Sequence, residues 1–380
     1  MPGREDFDLA PGEIYLDGAY CAPLPRAARA AVAAAYALKA EPYRIGPDEF
    51  FGYPDAVRER VARVLRVPQD EVGVTTSTTF GAMLLAQGIR WRAGDRLLIG
   101  PDEFPSNVYA WQALAEEGVR VEFVGQRGRP LTVADVEAEL RTGGPVRLLT
   151  VAALHYLTGD LYPLDALAAL LHAQGGLLVV DATQAAGCVD HDWSRLGPDA
   201  VITSGYKWLL GPYGTGAVWV RRPLLAELAN VNANWWSTEN ARDFQRVLEY
   251  SGFPLHGRRL DTGEPASFLN MGAFRAGLDY LLAVGVAETE AHHRRLQDRL
   301  VAGVAGTPLR PLSRLDGPHR GPILYFEVAG GADLDRLHAE LAGAHVRVSL
   351  RSGRMRVSPG LWNDESDVDA FAAAVRRATG

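Results

Sequence analysis

Between residues 72 and 220, short apolar runs alternate with amphipathic stretches. The pattern predicts strands at Val72–Val74, Arg96–Ile99, Val121–Val124, Arg147–Val151, Leu177–Val180 and Ala200–Thr203. Helices are expected between them at Val108–Glu117, Val133–Arg141 and Leu164–Gln174. Such alternation implies right-handed crossovers onto a mostly parallel sheet covered on both faces. Upstream, a short strand at Ile14-Tyr15-Leu16-Asp17 precedes an alanine-rich helix, Arg26–Ala40, which Glu41-Pro42 stops, and a second helix spans Pro54–Leu65. Residues 223–265 carry Asn, Trp, Arg and Gly without a long strand and read as loops at an interface. The helices Phe268–Val284 and Ala287–Leu300, the strands Ile323–Val328 and Val346–Leu350, and a closing helix Glu365–Ala378 read as an α+β second lobe. The expected division is an arm over 1–25, a large lobe over 26–255 and a small one over 256–380.

Composition narrows the function more than the fold. The 380 residues are 47% hydrophobic and 22% charged, with net charge −7 and no long like-charge run, which disfavours nucleic acid or an acidic membrane as partner. Cys21 and Cys188 form no CxxC pair, so neither a disulfide framework nor a cysteine-rich metal site is expected. The N-terminus lacks an apolar core of secretory length, and no run of apolar residues is long enough to span a bilayer. The reading is a cytoplasmic protein.

Lysine is almost absent, since only Lys39 and Lys207 stand among the 39 basic side chains. Arginine stays protonated, whereas a desolvated lysine amine can attack a carbonyl and form a Schiff base. Lys207 lies among Tyr206, Trp208, Leu209 and Leu210, an apolar wall of the kind that desolvates an amine. Upstream, the run Leu177–Val180 ends in Asp181, a carboxylate at the mouth of a buried strand. Farther upstream, the strand ending near Val74 opens into Thr75-Thr76-Ser77-Thr78-Thr79 and a helix start, where amides and hydroxyls can hold an anion. Taken alone, that hydroxyl run is more simply explained by ordinary N-capping. Together, a lysine for an aldehyde, an acid for a pyridine nitrogen and a phosphate turn are what pyridoxal phosphate requires.

From Ile14-Tyr15-Leu16-Asp17-Gly18 to Arg356-Val357-Ser358-Pro359 the chain resembles the class V aminotransferase group of fold-type I pyridoxal-phosphate enzymes. That group includes kynureninases, cysteine desulfurases and isopenicillin-N-epimerase-like proteins. Phe104-Pro105-Ser106, His155-Tyr156-Leu157-Thr158-Gly159, His191-Asp192-Trp193, Ser204-Gly205-Tyr206-Lys207 and Trp235-Trp236 carry the likeness to kynureninases. The resemblance implies an α/β fold with a large, mostly parallel sheet and a smaller α+β part. It makes Lys207 the Schiff-base lysine, Asp181 the pyridine partner, Ser77, Thr78, Thr79 and Tyr206 phosphate ligands, Phe104 the stacking residue and Gln184 the neighbour of the ring hydroxyl. Arg356 would hold the substrate carboxylate, with Arg351 as second candidate. Trp235 and Thr262 would serve the phosphate end of a partner subunit's site, implying a homodimer. Only Ser352-Gly353-Arg354-Met355 separate Arg351 from Arg356, so the loop that carries the desulfurase nucleophile is missing, and Lys39–Val57 lacks the kynureninase histidine.

These residues predict an enzyme acting on an L-α-amino acid, with β-bond cleavage preferred over transamination and epimerisation; a non-catalytic scaffold is the contrasting expectation. His155 reads equally as a general acid and as a hydrogen-bonded bystander. Cys21 reads as an ordinary small residue, His191-Asp192-Trp193 as structural, and His292-His293 as a solvated helix face. Gly211–Gly216 is expected to permit tight packing before a return strand at Ala217–Val220.

Overall fold

A computed structural model describes residues 3–265, 267–331 and 333–379. Thirteen strands occur among them: β1 (Ile14–Tyr15), β2 (Val72–Thr75), β3 (Arg96–Ile99), β4 (Arg120–Phe123), β5 (Leu148–Ala152), β6 (Leu177–Asp181), β7 (Ala200–Ser204), β8 (Gly216–Val220), β9 (Leu309–Pro311), β10 (Leu324–Val328), β11 (Val346–Arg347), β12 (Ser349–Arg351) and β13 (Arg354–Val357).

Seven of them form the large sheet in the order β2-β8-β7-β6-β5-β3-β4. Strand β8 alone runs against the rest, pairing antiparallel with β2 and β7. Every residue of β3 and β7 is buried, as the continuous apolar runs require of strands covered on both faces. Because six strands point one way, their carboxyl ends share one edge, where ligands gather in such sheets.

The second part is antiparallel, in the order β12-β13-β10-β9, with its own core of Leu324, Phe326, Met355, Val357 and Phe371. The N-terminal arm joins it: β1 pairs in parallel with β11, and Leu16 lies in that core. The expected strand Val346–Leu350 is therefore two strands with different partners. The helix Phe268–Val284 falls where predicted, but its Met271, Phe274, Leu278 and Leu281 enter the large-sheet core rather than the second one. The helix expected to begin at Pro54 begins at Pro47, because Glu49 accepts a hydrogen bond from the Gly46 amide and proline is tolerated in the first turn. No helix of the described residues is long and apolar enough to cross a membrane.

Candidate active site

Five carboxyl ends deliver side chains to one cavity. Ser204 ends β7 and Lys207 follows it; Asp181 ends β6; Leu154 and Tyr156 follow β5; Phe104 and Ser106 follow β3; Thr78 follows β2. An inner compartment holds Thr78, Asp181, Thr183 and Ser204. An outer one, of about 480 Å³, holds Tyr20, Cys21, Tyr213, Arg351 and Arg356, and Phe104, Tyr156, Gln184, Tyr206 and Lys207 line both.

The loop after β7 is held tightly. Gly205 N–H donates to Thr215 O at 2.7 Å, Gly211 N–H to Gly205 O at 2.8 Å, and Leu210 N–H to Lys207 O at 3.0 Å. Lys207 is 9% exposed, and its ammonium has neither hydrogen bond nor ion pair with a described residue. Its nitrogen lies 5.8 Å from the Phe104 ring centroid and 5.6 Å from that of Tyr206. Burial pulls its pKa down to about 8; the Asp181 carboxylate opposes this and the Arg356 charge adds to it. Burial likewise pushes the Asp181 carboxyl upward, against the hydrogen bonds from Thr183 and the charge of Lys207. Thr183 N–H donates to Asp181 Oδ1 at 2.9 Å, and no guanidinium of the described residues reaches that carboxylate.

The hydroxyl turn is organised by hydrogen bonds of its own. Thr78 Oγ1 meets Thr183 Oγ1 at 2.5 Å and Ser204 Oγ at 2.8 Å, and Thr78 N–H donates to Ser204 Oγ at 3.0 Å. Ser77 Oγ accepts from Phe80 N–H at 3.1 Å, the plain helix cap, while Thr79 Oγ1 donates to Ser106 Oγ at 2.9 Å. Gln184 spans two elements, donating to Ala19 O and accepting from Trp208 Nε1, each at 2.9 Å.

Arg356 is 2% exposed, donates through Nη2 to Asp17 Oδ1 at 3.0 Å, and keeps a buried Nε with no partner. Ser349 donates to the other Asp17 oxygen. Arg351 reaches the same cavity and, among the described residues, bonds only its neighbouring carbonyl, Leu350 O, at 2.8 Å.

His155 does not line the cavity. Leu154 and Tyr156 line it, whereas the fully buried imidazole of His155 meets Asp102 Oδ2 at 3.3 Å and Thr158 Oγ1 at 3.0 Å. Burial lowers its pKa despite the neighbouring Asp102. Trp235 and Thr262 are also absent from this chain's cavity. Trp235 packs on Phe51, Trp236 and Phe244, and Thr262 N–H donates to Val74 O at 3.0 Å. The latter segment is pinned by Arg58 and Asp261, a fully buried pair 2.7 Å apart whose carboxylate also accepts from Val74 N–H.

Sequence reasoning gave no role to Tyr20, Thr183 and Tyr213, nor to Tyr156 and Ser204, although these two lie in segments that carry the family likeness. It also gave Asp17 no role, although an acid in a predicted buried strand calls for a cation. His292-His293 is not a solvated face: His293 is 1% exposed and packs on Trp208, with ring centroids 5.1 Å apart. His191-Asp192-Trp193 is structural as read, with Asp192 capping a helix turn and Trp193 buried.

A mostly parallel sheet bearing an unpaired buried amine, a strand-end carboxylate and a helix start at one edge is the architecture of a fold-type I pyridoxal-phosphate enzyme. The donor set fits that cofactor: among the described residues the amine has no hydrogen-bond or ion-pair partner and the carboxylate meets no guanidinium, and Phe104 offers a half-exposed ring to the cavity. The aminotransferase class-V family matches residues 14–371, and the chain belongs to it. A probable cysteine desulfurase of Pseudomonas aeruginosa is 32% identical over 99% of this chain and 97% of that protein. Isopenicillin N epimerase of Streptomyces clavuligerus is 26% identical over 98% and 96%. Among solved structures, the apo cysteine desulfurase from Thermococcus onnurineus NA1 superposes with a TM-score of 0.85 at 21% identity, covering 99% of this chain and 97% of that one. The cystine C–S lyase C-DES, in complex with its reaction product cysteine persulfide, gives 0.84 at 21%, covering 96% and 97%.

Proposed function

We propose that this pyridoxal-phosphate enzyme cleaves a Cβ–S or Cβ–C bond of an L-α-amino acid, and does so without an enzyme thiol on its second sheet. One observation carries the reading. Strands β12 and β13 are closed by the two residues Ser352 and Gly353, both at positive φ, directly beside Arg351 and Arg356. A tight turn of this type leaves no loop long enough to bring a nucleophile over the cavity. Lys207 is then the cavity's amine base, and elimination at Cβ needs no more from the protein than proton transfer and orientation.

Bound pyridoxal phosphate supplies the electron sink for charge left at Cα. Lys207 would hold the cofactor, and when displaced by the substrate amine would take the α-proton and return a proton to the leaving group. Asp181 would sit at the ring nitrogen, Phe104 on the ring, Gln184 by the ring hydroxyl, and Thr78, Thr79 and Tyr206 at the phosphate, with Ser77 capping the helix behind them. Arg356, held by Asp17, would fix the substrate carboxylate through its guanidinium fork, with Arg351 beside it. Trp235 and Thr262, which do not line this chain's cavity, would complete the site of a second copy in a homodimer; a sedimentation mass of one chain contradicts that part. The two free thiols, Cys21 and Cys188, suit a reducing cytoplasm.

The test is a product count on purified enzyme given L-cystine, L-cysteine and S-alkyl cysteines. Keto acid and ammonia in equal amounts are expected. Accumulation of pyridoxamine phosphate with no fragment lost from Cβ would falsify the lyase reading and favour transamination.

A further inference from the structure

The cavity contains a thiol that the reaction above does not use. Cys21 sits on the N-terminal arm and lines the outer compartment beside Lys207, Tyr206 and Arg356. Its backbone is fixed on both sides. Tyr15 Oη donates to Cys21 O at 2.7 Å, and Ala22 N–H donates to Tyr206 O at 3.0 Å, which ties the arm to the residue before Lys207. Cys21 is partly exposed, and the one polar contact of its sulfur among the described residues is a weak bond to Ala22 O at 3.7 Å.

Two further groups mark this place as built for a ligand. Lys207 is nine-tenths buried with no hydrogen bond or ion pair to a described residue, and Arg356, more deeply buried, has an Nε with no partner among the described residues. An amino acid held by its carboxylate at Arg356 and its amine near Lys207 therefore has Cys21 on the same cavity wall. Cys188, the chain's other cysteine, is fully buried with its sulfur against Gln184 O and Ala185 O.

We infer that Cys21 is a sulfur acceptor, taking the outer sulfur of an amino-acid persulfide that is formed or bound in the cavity. This rests on the lyase reading, because cleavage of a disulfide amino acid at Cβ–S releases keto acid, ammonia and a persulfide, R–S–SH. The step is thiol–persulfide exchange. The Cys21 sulfur bonds to the outer sulfur, the S–S bond of the persulfide breaks, and R–S⁻ departs with the proton that Cys21 gives up. The products are Cys21–S–SH and R–SH, and no outside oxidant or reductant is consumed. Burial favours the protonated thiol while the charge of Lys207 opposes it, so exchange is coupled to proton transfer within the cavity. The sulfur acceptor would thus stand on the arm, whereas the β12–β13 turn carries none.

Mass analysis of alkylated peptides tests this in two arms, one with holoenzyme turning over L-cystine and one with holoenzyme given chemically prepared cysteine persulfide. One added sulfur atom on the Cys21 peptide is expected in both arms, on the order of tenfold above the Cys188 peptide because only the accessible thiol reacts. In the second arm, L-alanine should slow loading by occupying the cavity, and Arg356→Lys should remove that protection. Keto acid release with an unmodified Cys21 peptide in both arms overturns the proposal and leaves the lyase reading intact. If no keto acid appears, the lyase reading falls. The persulfide arm then decides for Cys21 alone, and an unmodified peptide there, or loading that L-alanine does not slow, overturns the proposal.

Discussion

At the scale of single residues, two ionisable groups shifted by desolvation set the pH behaviour, one with its pKa lowered and the other with its pKa raised. Lys207 has its amine pKa lowered to about 8 because burial disfavours the ammonium. Cofactor-free protein should therefore capture added pyridoxal phosphate faster as pH rises, with the rate levelling off above about pH 8 rather than near the ordinary lysine value of about 10.4. Stopped-flow growth of the visible band measures this, and a rate still climbing steeply well beyond pH 9 contradicts it. Glu103 has its carboxyl raised to about 8, first by burial and further by the Asp181 and Asp102 charges, against hydrogen bonds from Asn107 and the Ala152 amide. The folded state therefore holds a proton that the unfolded chain releases near pH 4.5. Its stabilising contribution is complete below that pH and is lost as pH rises towards 8. Glu103→Gln should flatten the fall in Tm over that window; an unchanged slope would show that Glu103 does not titrate there. Glu103 also anchors the start of the loop carrying Phe104, a function no sequence pattern announced because one of its partners, the Ala152 amide, lies on a neighbouring strand.

At the scale of elements, the loop after β7 depends on a glycine in a distant helix. A Cβ on Gly277 would stand 2.2 Å from Leu210 O and 2.8 Å from Leu210 C, and Leu210 itself has φ of +55°. Gly277→Ala should destabilise the protein by about 1–3 kcal/mol through overpacking, less the fraction that alanine returns as a better helix former. It should also weaken cofactor retention by moving the backbone next to Lys207. A variant that unfolds and holds cofactor like the parent would separate this contact from the site. The helix Phe268–Val284 was legible from its apolar period, yet its Gly277 contact was not, since a small residue in a helix gives no hint of what approaches it. The helix Val286–Gly303 shows a related limit. Its buried stripe, Thr289, His293, Leu296, Gln297 and Leu300, follows a helical period, but His and Gln in that stripe read as polar surface in sequence.

At the scale of the whole molecule, the strand–helix alternation from residue 72 to 220 was sufficient to place Lys207, Asp181 and Thr78 on one edge. Each follows a buried apolar run, and parallel strands share an end. The second sheet was harder to read. Strands β1 and β11 have two residues each and no periodicity, so the arm's pairing depends on tertiary contacts alone. The same is true of Asp17 and Arg356, 339 residues apart, whose 3.0 Å contact fixes the arginine in the cavity. His155 reads equally as a general acid and as a hydrogen-bonded bystander in sequence, and the structure shows it hydrogen-bonded outside the cavity lining, because a motif gives spacing along the chain and not the side on which a ring falls. Tyr156, one residue on, faces the cavity instead.

The measurement that bears most directly on the cavity built around Lys207 is the visible absorption spectrum of the purified protein beside that of Lys207→Ala, both supplied with pyridoxal phosphate. The expected result is a visible band in the parent that shifts when an L-amino acid is added, and no such band in the variant. An identical band in both proteins, or none in the parent after cofactor is added, would contradict the assignment of Lys207 and with it the account of the site.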